Sequence, residues 1–213
     1  MAINRQEEEM DTNEKLKQIK RSFRLRMNGV AAQSMRQKGL DYHINWGLSL
    51  ADIQELAAEY GKDYDLAIEL WKENIRECKI MAAIIMPPER MLPEIVDVWM
   101  EQTHSQELAE QTVFHLYQHL DYAPVLAFEW LASENELFQI AGFHLLSRLF
   151  SRGQQPDDRG INEFIDQAIA ALLSDNLSVR HAALSCVRRF ADMDENYERI
   201  ARGAMKSAHL DFF

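Results

Sequence analysis

The sequence contains little cysteine, and it lacks long apolar runs. Only Cys78 and Cys186 occur in 213 residues, and no Cys-x-x-Cys or Cys/His spacing accompanies them. This pattern excludes a disulfide scaffold and a zinc site, and a reducing, cytoplasmic setting is the simplest interpretation. No window has the length that a bilayer-spanning helix needs, and the N-terminus lacks the apolar core of a signal peptide. We therefore expect a soluble protein without a membrane partner.

Signals for β-strands are also scarce. The chain has five prolines and eight glycines, and the prolines lie where helices would begin or stop. Strict alternation of apolar and polar residues is almost absent, which favours an all-α protein. Capping-box spacing at Ser49, Ser133 and Asp192 predicts three helix starts. The predicted helices occupy residues 5–26, 29–38, 49–60, 63–72, 74–86, 91–102, 105–119, 124–132, 134–151, 159–173, 177–190 and 194–208.

The predicted helices recur as pairs. Three first helices end in similar segments containing Trp71, Trp99 and Trp130, and we interpret these rings as wedges between repeats. Each following helix carries an alanine at a similar position, and a fourth unit fits the same template: Ala82, Ala109, Ala141 and Ala182. The recurrence predicts a right-handed α-α superhelix, a HEAT/ARM-like repeat solenoid of about six antiparallel helix pairs. We expect one domain, with a basic capping helix in residues 1–28, repeats in 29–208 and a tail in 209–213.

Charge is distributed unevenly along the chain. The formal net charge is -11, which argues against indiscriminate attraction to a polyanion. Residues 15–38 nevertheless contain eight basic residues and no acid, and Glu14 lies directly before them. This stretch is the one basic block in an acidic protein, so it is a candidate for contact with nucleic acid.

Three local motifs resemble a known family. The first is the aromatic-glycine turn Trp46-Gly47-Leu48, and the second is Glu69-Leu70-Trp71 followed by Arg76-Glu77. The third is the segment 91–99, which ends in tryptophan, with Phe128-Glu129-Trp130 after it. Over about residues 28–202 the chain is similar to the AlkD-like DNA alkylation repair family of HEAT-like repeat DNA glycosylases.

The resemblance implies a reaction as well as a fold. Family enzymes receive duplex DNA on a concave face lined by second helices and hydrolyse the N-glycosidic bond of bases made cationic by alkylation. Such a base departs neutral, so the reaction needs no general acid. It needs a carboxylate and aromatic faces that stabilise the cationic base and the oxocarbenium-like sugar.

The family's Trp-x-x-x-Asp pair is not present here. One register places Glu107 and Gln111 at these positions, and a shift by one places Gln106 and Glu110 there instead. The aromatic is absent in both registers. Glu110 is therefore the candidate catalytic carboxylate. The family's arginine and last tryptophan fall near Ile140 and Ser185.

Basic residues at helix ends are the candidate contacts to nucleic acid. Arg180 is predicted in a first helical turn, where a cation opposes the helix dipole, so it is the first arginine to test for phosphate binding. Cations in a last turn also complement the dipole without any ligand. The full candidate set is Lys20, Arg21, Arg24, Arg76, Lys79, Arg148, Arg152, Arg180, Arg188 and Arg189.

Three functions are compatible with the sequence. We favour a DNA-binding protein that contacts duplex DNA, alkylated or distorted, and that is not an efficient glycosylase. The first alternative is an active 3-alkylpurine or 7-alkylpurine DNA glycosylase that uses Glu110. The second alternative is a scaffold for a protein partner, which the acidic total favours. No cofactor and no metal are predicted, because the pair His115 and His119 lacks a third ligand.

Overall fold

The computed structural model of the chain describes residues 11–210, and these residues are helical apart from their connections. Twelve α-helices occur in this range, together with the short 3-10 segments Pro88–Arg90 and Tyr117–His119. Their bounds are α1 Thr12–Leu25, α2 Gly29–Gln37, α3 Leu50–Tyr60, α4 Tyr64–Lys72, α5 Arg76–Ile85, α6 Pro93–Glu101, α7 Gln106–His115, α8 Ala123–Leu131, α9 Glu136–Ser151, α10 Asp158–Leu172, α11 Leu177–Ala191 and α12 Glu195–Ser207. Ten of the predicted helices agree with these bounds to within two residues at each end. The two exceptions are the predicted helix 105–119, which ends at His115, and the predicted helix 5–26, which begins at Thr12 among the described residues and whose predicted start lies outside them.

The helix starts follow from side-chain caps. Ser49 Oγ accepts a hydrogen bond from the Asp52 amide at 3.1 Å, as capping-box spacing predicts. The predicted starts at Ser133 and Asp192 are wrong by two residues. Asn135 caps α9 and Asp194 caps α12, since their side-chain oxygens accept the amide hydrogens of the first helical turn.

The chain divides into two compact units, residues 1–90 and 91–213. In the first unit, α4 packs on α5, α3 contacts α5, and α1 lies on α4. In the second unit, α8 packs on α9, α10 packs on α11, and the helices α7, α9 and α11 lie side by side. Trp71, Trp99 and Trp130 are each at most 3% exposed, so these rings are packed inside their units. The single-domain organisation stays a prediction.

A buried carboxylate organises the first unit. Glu77, fully buried on α5, accepts hydrogen bonds from the amides of Trp46, Gly47 and Leu48 at 3.2, 2.9 and 3.2 Å. Arg76 donates to Leu48 O at 3.0 Å and lies 3.3 Å from the Glu77 carboxylate. We call this arrangement the Glu77 clamp. It explains why the aromatic-glycine turn and the Arg-Glu pair occur together in the sequence.

Gly47 is required at the centre of the clamp. Its backbone φ angle is +76°, a value that residues other than glycine rarely adopt, and an added Cβ would lie 2.3 Å from the carbonyl oxygen of Asn28. The turn can therefore bring its three amides to Glu77 only when this position has no side chain.

Candidate nucleic-acid interface

The second helix α7 and the 3-10 segment after it face α9 and its C-cap residue Arg152 through three residue pairs. The pairs recur every four residues on both sides, because four residues make about one α-helical turn and return to the same face. We call this arrangement the α7–α9 ladder, and its three rungs are Glu110 with His144, Phe114 with Arg148, and Gln118 with Arg152.

The first rung holds a charged carboxylate. Glu110 Oε1 lies 3.3 Å from His144 Nε2 and accepts a hydrogen bond from Gln106 Nε2 at 2.7 Å. The contact with His144 lowers the pKa of Glu110, burial opposes this shift, and the bond from Gln106 adds to it. Glu110 is therefore ionised at neutral pH, although it is only partly exposed to solvent. Gln106 and Glu110, the residue pair of the second family register, thus lie one turn apart on the ladder face.

The other two rungs hold a pair of arginines beside an exposed ring. The Arg148 guanidinium carbon lies 4.7 Å from the centre of the Phe114 ring, which is 44% exposed. Gln118 connects these residues, since its side-chain nitrogen donates to Phe114 O and its Oε1 accepts from Arg148 Nε at 3.2 Å. Arg152 Nη1 donates to Gln118 O at 2.7 Å. Each guanidinium keeps further N–H donors beyond these bonds.

The end of α7 gives Gln118 this position. Leu116 leaves the helical conformation, with φ at -132° and ψ at -63°, and a 3-10 segment follows. The predicted continuous helix over residues 105–119 is therefore wrong after residue 115. His115 therefore ends α7, and His119 ends the 3-10 segment that follows. Among residues 11–210, no group of three His, Cys, Asp or Glu side chains could hold a metal ion.

Helix α11 adds a basic edge to the second unit. It carries Arg180, Arg188 and Arg189, all exposed, and its sequence contains no acidic residue. Arg189 Nη1 lies 3.8 Å from Asp192 Oδ2, where both side chains are more than half exposed, so this ion pair is weak. An open cleft of about 520 Å³ lies beside Arg188 and Arg189 and is lined by His181, Leu184, Ser185, Arg188, Arg189 and Asp192. We call these three arginines the α11 edge.

Two predicted DNA contacts lie in the core instead. Arg76 is 1% exposed and Lys79 is 7% exposed. Lys79 Nζ donates to Trp71 O at 3.1 Å and lies 4.3 Å from the centre of the Trp71 ring. Burial lowers the pKa of Lys79 to about 8. Neither cation is exposed enough to contact a phosphate. The prediction that Arg76 and Lys79 bind nucleic acid is therefore wrong, and both residues belong to the core.

The basic residues of α1, the N-terminal helix, mainly attach this helix to the rest of its unit. Lys15 and Lys20 form ion pairs with Asp63 and Glu73 at 2.8 and 3.0 Å, and the apolar side of α1 is buried. Lys20 is therefore engaged within the protein. Arg21 and Arg24 are exposed, and the Arg24 guanidinium lies 5.9 Å from the centre of the Trp46 ring. Their contact with DNA stays a prediction.

Several residues of the ladder were absent from the sequence-based candidates. Phe114, Gln118 and His144 do not belong to any family motif. Each of them contacts a residue about thirty positions away in sequence, on the opposite side of the ladder. One signal was available: His144, Arg148 and Arg152 recur at intervals of four. That spacing indicates a polar helix face, but it does not identify its partner.

Comparison with known proteins agrees with this architecture. The profile of the family described as DNA alkylation repair enzyme matches residues 8–161. The chain belongs to this family. None of the described helices is long and apolar enough to span a membrane. Among curated proteins, the chain has no significant sequence match.

One solved structure superimposes over most of the chain. It is reported as "a new family of proteins related to the HEAT-like repeat DNA glycosylases with affinity for branched DNA structures". The TM-score is 0.80 at 16% sequence identity, with 93% of this chain and 83% of that chain covered. The prediction of an all-helical, HEAT-like repeat fold is confirmed.

Proposed function

We propose that this protein binds DNA through the sugar-phosphate backbone, using the arginines of the second helices in its second unit. The observation that carries the proposal is the α11 edge, where three exposed arginines project from a helix without acidic residues. Guanidinium groups match phosphate oxygens in charge and in bidentate geometry. Arg148 and Arg152 of the α7–α9 ladder extend the basic surface onto α9.

The acidic total does not oppose this proposal. Charges separated by more than a Debye length, about 8 Å at physiological ionic strength, are largely screened. A phosphate at the α11 edge therefore responds to the arginines beside it more than to the net charge of -11. The family membership and the branched-DNA affinity reported for the structural relative also support DNA as the ligand.

Efficient excision of alkylated bases is not part of the proposal. The family resemblance attributes that chemistry to a tryptophan and an aspartate one turn apart. Gln106 and Glu110 occupy the ladder face here, and no aromatic ring stands at either position. Without that ring, the cationic base loses a π face that would stabilise it.

Salt dependence and charge removal test the binding. Arg180→Ala and Arg188→Ala should each weaken binding to duplex DNA and reduce the slope of log affinity against log salt by about one. The matched control is Arg202→Ala, because Arg202 is also exposed but is paired with Glu198 at 2.7 Å. Fluorescence anisotropy over a salt series measures both quantities.

Two outcomes would overturn the proposal. One is the absence of binding by the wild type even at low salt. The other is an effect of Arg202→Ala on the slope as large as that of Arg180→Ala, since binding would then depend on overall charge and not on the α11 edge.

A second candidate function is base excision by Glu110. The specific observation is the position of its carboxylate on the ladder face, where it accepts a hydrogen bond from Gln106 at 2.7 Å and lies 3.3 Å from His144. Stabilisation of an oxocarbenium-like sugar requires such a carboxylate. We expect release of methylated purine from alkylated duplex DNA by the wild type, and loss of at least tenfold in rate with Glu110→Gln. Release at equal rates by both proteins would remove Glu110 from the mechanism.

A further inference from the structure

The exposed ring of Phe114 has no role in phosphate binding. Its side chain lies on the ladder face, 44% exposed, between the polar rungs formed by Glu110 and Gln118. An isolated exposed apolar side chain needs no explanation in general. Here, however, the adjacent guanidinium of Arg148 lies 4.7 Å from the ring centre and is itself held by Gln118. The ring and the cation are thus fixed together.

This pairing has the chemistry of a stacking platform for nucleobases. Proteins that bind unpaired or unstacked bases combine an aromatic face with a nearby cation that follows the backbone. The ring accepts a base, while the remaining N–H donors of Arg148 can bind the phosphate next to that base. Arg152 is held by the next rung and offers a second cation one turn further along α9.

A continuous duplex cannot use this ring. Both faces of every internal base pair are covered by neighbouring pairs, and opening one step costs a few kcal/mol. A base pair that borders a branch point has one uncovered face, so stacking against it carries no such cost. Phe114 would then contribute to binding of branched DNA and not to binding of continuous duplex.

We infer that Phe114, held by Arg148, stacks on the base pair that borders a DNA branch point and gives this protein a preference for branched over continuous DNA. The inference rests on the DNA binding proposed above. It assigns the preference to one side chain on α7, whereas the phosphate contacts of the α11 edge serve both kinds of DNA.

Paired binding measurements test the assignment. The probes are a three-way junction and a duplex of the same total length, both closed by hairpin loops so that no blunt end offers an uncovered base pair. The wild type should bind the junction more tightly. Phe114→Ala should lower the junction affinity about tenfold, within the range that base-aromatic stacking provides, and leave the duplex affinity unchanged.

Matched variants separate stacking from packing. Phe114→Leu keeps an apolar side chain beside Arg148 but removes the π face, so it should behave like Phe114→Ala. Phe114→Trp should retain the preference, and its binding should change the fluorescence of 2-aminopurine placed at the branch-point pair. Val125→Ala, which removes another exposed apolar side chain (61% exposed, on α8), should change neither affinity.

These measurements distinguish a failure of the stacking assignment from a failure of the proposed DNA binding. Equal wild-type affinities for junction and duplex, or equal losses on both probes with Phe114→Ala, would overturn the stacking assignment and leave the proposed DNA binding in place. Binding of neither probe by the wild type would overturn both.

Discussion

At the scale of single residues, the Glu77 clamp shows how a charged motif can belong to the core. Three backbone amides and one guanidinium converge on a carboxylate that solvent does not reach. A buried charge is tolerated only when it is paired and fully hydrogen-bonded. The Arg-Glu pair that carries much of the family resemblance is therefore structural, and it fixes the turn that precedes α3.

Glu77→Gln should destabilise the protein by about 3 kcal/mol, because it leaves the buried Arg76 guanidinium without its counter-charge. Denaturant unfolding monitored by circular dichroism measures the change. The matched control is Glu69→Gln, which breaks the exposed ion pair between Glu69 and Lys72 and should cost less than about 0.5 kcal/mol. Equal effects of the two substitutions would contradict the structural role of the clamp.

The predicted DNA contacts Arg76 and Lys79 show what the sequence could not reveal. Charged residues in an amphipathic helix are normally assigned to its solvent face. Helix α5 departs from this rule, since Arg76 through Ala83 are all buried. Arg76 contacts Leu48 O, 28 positions away in sequence, and Lys79 contacts Trp71 on the preceding helix. Only the packing of α5 between its neighbours identifies them as core residues.

At the scale of helices, local chemistry made most of the fold predictable. Caps and breaker residues located α2 to α6 and α8 to α12 to within two positions at each end. The starts of α9 and α12 were misplaced because two capping residues lie within two positions of each other, as Ser133 and Asn135 do. The break at Leu116 has no glycine or proline to indicate it, so the sequence gives no local signal for the end of α7.

Two helical glycines test the helix packing, because replacing them by alanine should change the stability in opposite directions. A Cβ added to Gly142 on α9 would lie 3.0 Å from Ala127 O and from Leu131 N on α8, whereas one added to Gly203 on α12 would meet nothing within 4 Å. Gly142→Ala should therefore lower the free energy of unfolding by about 1 kcal/mol through overpacking. Gly203→Ala should raise it by roughly 0.5–1 kcal/mol through helix propensity.

Thermal unfolding followed by circular dichroism measures both glycine variants. The second substitution is the control for the first, because both replace a helical glycine by the same residue. An increase in stability with Gly142→Ala would contradict the close approach of α8 and α9.

At the scale of the whole molecule, the family and fold are clear although the identity to the structural relative is only 16%. The fold depends on apolar periodicity and on clamps such as Glu77, which tolerate extensive change elsewhere. The functional surface of the family, by contrast, is not retained along with the fold. The positions where the resemblance implies a catalytic pair carry different residues here, and the ladder that occupies this face depends on contacts between helices.

The distribution of charge also belongs to this scale. A net charge of -11 favours solubility and opposes non-specific binding to nucleic acid. The α11 edge then acts only at short range, where screening has not removed its field. The DNA contacts proposed above would then depend on a few defined arginines, which makes the single substitutions Arg180→Ala and Arg188→Ala informative.

The spacing of the α7–α9 ladder also restricts how this surface can evolve. An inserted or deleted residue within either helix turns every later position by about 100°, so the rungs beyond it lose their partners together. A substitution changes one rung and leaves the others in place. New ligand preferences on this face can therefore arise through exchange of side chains, while changes in chain length are confined to loops such as residues 153–157.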